Sequence, residues 1–94
     1  MRIIKKGKYE FFMKIIFSEH ALFQIRERNL SKNLLIETVE NPDTIVLQLD
    51  KRSRAQKIIE KEGKKYVLIV IYDMNGKNKE IVTAFLTTKF KKYL

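Results

Sequence analysis

Ninety-four residues form one domain, since chains divide into several cores only well above this size. The absence of cysteine excludes disulfides and thiolate metal sites. A single histidine leaves a transition metal little but carboxylates, so no cofactor is expected. The longest apolar run, Tyr66-Val-Leu-Ile-Val-Ile-Tyr72, is too short to span a bilayer. The first residues lack the apolar run and small-residue cleavage site of a secretion signal, so the expected address is cytoplasmic, with no membrane contact.

The net charge of +9 is unevenly placed: residues 1–12 carry +3, residues 13–50 carry −2, and residues 51–94 carry +8. Such a one-sided field concentrates polyanions near the surface, which makes RNA or a ribosome the expected partner. Lysines scattered for solubility are the plainer explanation of the same number.

In chain order, residues 13–17 read as a strand. Ser18 offers its hydroxyl to a helix start, with Glu19 near the positive end of the helix dipole. This helix is expected to run to about Arg28, with Ala21, Leu22 and Ile25 on its core face and His20, Gln24, Glu27 and Arg28 opposite or flanking it. Asn29 suits a left-handed stop. Ser31 caps a second helix, with Leu34, Leu35 and Val39 as its stripe, ended by Asn41-Pro42-Asp43. Strands are then expected over 44–49, about 54–60, 66–72 and 79–86, with turns at Asp50–Ser53, Gly63 and Asn75-Gly76. The all-apolar 66–72 run is predicted to be a central strand covered on both faces. The tail, Thr87-Thr-Lys-Phe-Lys-Lys-Tyr-Leu94, is amphipathic and predicts a helical turn or two.

No glycine loop for phosphate, hydrolase elbow or paired histidines is present. Lys, Arg, Tyr, Thr and one His suit metal-independent RNA cleavage, in which the 2′-hydroxyl attacks its own phosphate. The protein then supplies proton transfer and cations. A histidine in the first helical turn feels the positive dipole end, which favours its neutral form. Its structural alternative is a hydrogen bond to a neighbouring strand. Arg28 has an alternative role at the negative helix end, and Lys57 one as an edge-strand guard against aggregation. For the tail, the plainer reading is a solvated helix pinned by Phe90 and Leu94.

Phe17-Ser-Glu-His20-Ala21, Arg28-Asn-Leu-Ser31 and Glu40-Asn-Pro-Asp43, with the ending Thr83-Ala-Phe-Leu-Thr-Thr-Lys89-Phe-Lys-Lys-Tyr93, resemble an uncharacterised bacterial and archaeal domain family. That family is distantly similar to the RelE, HigB and BrnT toxins of toxin–antitoxin systems, small basic ribonucleases. The likeness covers residues 13–94 and leaves 1–12 as an extension or a mis-assigned start. Asn29 replaces the pattern's usual glycine, and Gln24 replaces a frequent basic residue.

The resemblance implies a RelE-like α+β fold: two N-terminal helices packed on a twisted antiparallel sheet of about four strands, with a short C-terminal helical tail. It also implies an endoribonuclease with a small acidic antitoxin as partner. His20, Arg28, Lys57, Lys89 and Tyr93 are the expected catalytic set: His20 for proton transfer or binding, the cations for the phosphorane, Tyr93 for stacking or hydrogen-bond donation. Arg54, Thr88, Lys91 and Lys92 are the expected RNA contacts. The alternative is a non-catalytic RNA- or protein-binding module of the same fold.

Overall fold

Residues 14–94 are described by the computed structural model. The extension 1–12 and Met13, read above as a strand's first residue, lie outside the described residues. Ile15–Phe17 forms the short strand β1. Ser18 follows in extended conformation, and its hydroxyl accepts from the amide of Ala21 at 3.0 Å, starting helix α1, Glu19–Glu27. That bond satisfies one of the four amides a helix start leaves unpaired. Asn29 stands in the left-handed region at φ 52°, which its short side chain tolerates. Ser31 then caps α2, Lys32–Glu40, through the amide of Leu34 at 3.2 Å.

The chain continues through β2, Thr44–Leu47, β3, Ser53–Lys61, β4, Lys64–Asn75, β5, Asn78–Thr87, and the single-turn helix α3, Phe90–Tyr93. The β3–β4 hairpin turns on Glu62 and Gly63, both at positive φ, as a two-residue turn of type I′ requires. Asn75 pairs with Asn78, so the β4–β5 loop is Gly76-Lys77, one residue later than the Asn75-Gly76 tip expected. Gly76 takes the positive φ of its first position, where a side chain would be strained.

The expected fold class is overturned. The sheet has five strands in the order β1-β5-β4-β3-β2, not about four. It is mixed, because β1 pairs parallel with β5, Ile15 opposite Lys79 and Phe17 opposite Ile81. The helices do not open the domain; they connect one edge strand to the other. A three-residue strand carries too little periodicity to announce its neighbour. Parallel pairing needs a long crossover, here most of the chain, so no local signal encodes it.

β4 lies at the centre, as its unbroken apolar run predicts. One face sets Leu68, Val70 and Tyr72, with Ala55, Ile81 and Ala84 of its neighbours, in one buried cluster with Ala21, Ile25, Leu35 and Val39 of the helices. Val67 and Ile69, pointing the other way, are also fully buried. On that second side Tyr93 of α3 sets its ring edge-on to Phe85, centroids 6.0 Å apart. The register of β4 with β5 slips between Ile71 and Tyr72, leaving Val82 as the extra residue of a bulge. Among the described residues, no helix is long and apolar enough to cross a membrane.

Candidate nucleic-acid interface

β1 covers β5 only as far as Ile81, and beyond it the outer edge of β5 meets side chains of α1 instead of a strand. Gln24, only 8% exposed, accepts on Oε1 from the amide of Ala84 at 3.2 Å and from the hydroxyl of Thr83 at 2.6 Å. One helical turn on, Arg28 donates to the carbonyl of Ala84 at 2.6 Å. Together they satisfy the two backbone groups of Ala84 that a sixth strand would otherwise pair.

This network also orients the histidine. An amide N–H faces the Gln24 side chain, so the atom that meets it is the oxygen, and Nε2 of Gln24 therefore points to His20. The 2.8 Å contact from Gln24 Nε2 makes His20 Nε2 the acceptor. The neutral ring that fits carries its hydrogen on Nδ1, on an exposed side chain. Gln24 is thus part of the buried side of α1, where the wheel had set it opposite or flanking the core stripe.

A second network lies on the sheet face away from the helices. Gln56, fully buried, donates from Nε2 to the carbonyl of Tyr93 at 2.5 Å and accepts from Nε of Arg54 at 2.6 Å. The Arg54 guanidinium lies 5.2 Å from the centre of the Tyr93 ring, and Lys92 Nζ lies 5.4 Å from it. Tyr93 is thereby held between the sheet and two cations, a cation–π arrangement. Lys89, Lys91, Lys92 and Thr88 are exposed around it.

Strand register joins the two networks. Arg54 stands opposite Ile71, and Ile71 opposite Thr83, forming one row across β3, β4 and β5. Two strand spacings put Arg54 and Thr83 roughly 10 Å apart. The next row, Gln56–Ile69–Phe85, carries the support for Tyr93. The first network thus meets that row at Thr83, and His20 follows Gln24 outward on α1 beyond the edge of β5.

Lys57 does not join them. It alternates with Arg54 and Gln56, so it points to the helix side, where its Nζ donates to the carbonyl of Asn41 at 2.9 Å and lies 3.9 Å from Glu37. Its ammonium is spent on the carbonyl that ends α2, so it pins that helix end. Arg28 is likewise bound to backbone.

Gln56 went unmarked because a polar residue in an alternating strand reads as solvent-facing. Only the docked tail encloses Gln56. Among the described residues, no three His, Asp or Glu side chains are grouped to hold a metal. No curated protein and no solved structure matches the chain. Residues 17–92, from the end of β1 through α3, match the model described as Domain of unknown function (DUF4258), and the chain belongs to that family.

Proposed function

We propose that this domain binds single-stranded RNA across the sheet face bordered by Arg54 and Tyr93. The observation that carries this reading is the Arg54–Tyr93–Gln56 constellation. A cation and an aromatic ring are held together by a buried amide, with exposed Lys89, Lys91 and Lys92 beside them. A ring supplies a sequence-tolerant platform for a base, while guanidinium and ammonium groups take the phosphates. The Nδ1–H of His20 adds a donor for a phosphate oxygen beyond the edge of β5.

The test is binding of a single-stranded RNA oligonucleotide measured across a salt series. Affinity is expected to fall steeply with salt, because each neutralised phosphate releases counterions. Arg54→Ala should reduce the slope by about one, and Lys89→Ala with Lys92→Ala by about one to two. Tyr93→Ala should weaken binding by about 5- to 150-fold, the worth of one stacked base at 1–3 kcal/mol. An affinity indifferent to salt overturns the reading and leaves the +9 as a solubility feature.

A second reading, RelE-type cleavage, rests on His20, the chain's single imidazole, exposed on α1 beside the outer edge of β5. In that reaction the 2′-hydroxyl gives up its proton and attacks the adjacent phosphorus. The bond to the 5′-oxygen breaks, that oxygen takes a proton, and a 2′,3′-cyclic phosphate remains. His20 must release Gln24 before its Nε2 lone pair can accept a proton, and two expected cations are occupied by carbonyls. Binding is therefore the better supported of the two. Cleavage in chelator that stops on a 2′-deoxy substrate and falls on the order of a hundredfold in His20→Ala would establish the second reading. RNA bound but never cut leaves the first.

A further inference from the structure

We propose that two copies of this chain associate through β2, edge to edge and antiparallel, about a two-fold axis at Val46. β2 ends the sheet opposite β1, and its register with β3 is uninterrupted. Outer strands are ordinarily guarded by charge, proline or a bulge. The segment Thr44-Ile-Val-Leu-Gln-Leu49 has no charge and no proline, although a third of the chain is charged. Its apolar side chains are in water: Ile45 is 53% exposed, Leu47 73% and Leu49 fully.

The backbone geometry selects a second copy of the same strand. The amide of Gln48 donates inward to the carbonyl of Arg52 at 2.8 Å. By the alternation of an antiparallel ladder, Ile45 and Leu47 then turn their N–H and C=O groups outward. These two residues are symmetric about Val46. In an antiparallel pair centred there, Ile45 of each copy exchanges both hydrogen bonds with Leu47 of the other, and their side chains meet on one face.

Charge favours the same arrangement. Glu40 and Asp43 precede the strand, and Asp50, Lys51 and Arg52 follow it, a net charge of −2 before and +1 after, with Arg52 also 3.3 Å from Asp73. Antiparallel pairing lays the acidic end of each copy along the basic turn of the other, whereas parallel pairing would set like charges together. Such an isologous contact closes on itself and does not propagate.

Sedimentation equilibrium of the full chain should show a concentration-dependent dimer. Leu47→Lys should abolish it while leaving the melting temperature of the dilute monomer unchanged. Because the chain has no cysteine, Val46→Cys is a single-thiol probe. The two Val46 residues form a non-hydrogen-bonded pair with Cα atoms about 4.5 Å apart, within reach of a disulfide. Val46→Cys should oxidise to a covalent dimer at least tenfold faster than Ile45→Cys, whose counterpart stands opposite Leu47. A wild type that stays monomeric at its highest soluble concentration overturns the proposal. So does a dimer untouched by Leu47→Lys, or equal cross-linking of the two cysteine variants.

Discussion

The two sides of the sheet solve the same problem in different ways. On the β5 side, where β1 stops short, Gln24 and Arg28 reach from α1 and occupy the amide and carbonyl of Ala84. On the β2 side, among the described residues, no strand pairs with the outward groups of Ile45 and Leu47, and the side chains there are apolar and exposed. The first edge is closed from within the chain; the second remains open to pairing. The contrast shows how a residue acquires its role. Gln24 and Arg28, on the helix that carries the histidine, spend their polar groups on architecture, and what remains for a ligand is the more exposed His20.

The closed edge is broken most severely at Gln24. Gln24→Leu keeps the volume but strands the buried amide of Ala84 and the hydroxyl of Thr83, each without a partner. Stability should fall by about 2–3 kcal/mol, read by urea unfolding. The same variant frees His20, so the ¹⁵N shifts of its ring nitrogens should move toward a mixture of tautomers.

A smaller effect is expected at Arg28. Its bond is to the backbone carbonyl of Ala84 and not to its own helix end, the alternative role read from the sequence. Since the side chain is exposed, Arg28→Ala should cost about 1 kcal/mol, discounted from the usual worth of a charged hydrogen bond. Slower hydrogen exchange at Ala84 in the variant than in the wild type would contradict this.

The smallest effect belongs to the turn beside the open edge. Asp50 is held below the usual carboxylate range, chiefly by the amide of Arg52 and then by the Gln48 side chain, which both donate to it. The folded value is depressed, so the turn's contribution is complete above the unfolded value of about 3.9 and is lost as pH falls through the folded one. Below that range the Arg52 amide resonance should shift and its exchange protection should drop, with the sheet otherwise intact. An Arg52 amide indifferent to pH there would show that the carboxylate does not hold the turn.

Much of this molecule is local chemistry, and local chemistry is legible in a sequence. Ser18 and Ser31 name the helix starts because few other residues can accept from the free amides there. Asn29, Gly63 and Gly76 mark reversals because they tolerate positive φ. The central strand announces itself, since seven successive apolar residues need cover on both faces. The one-turn tail helix follows from its amphipathic spacing.

Only the tertiary structure decided the rest. That β1 docks beside β5, in parallel, depends on a contact across more than sixty residues for which three side chains carry no code. Gln24 and Gln56 are buried because β5's edge and the docked tail surround them; by residue type each reads as a surface amide. Lys57 and Arg54, three residues apart in one strand, fall on opposite faces by alternation alone, but which of them meets the helices was set by register with β4. Sequence fixes what a residue can donate, accept or bury, whereas which partner meets it is a property of chain packing over distances that no local window spans.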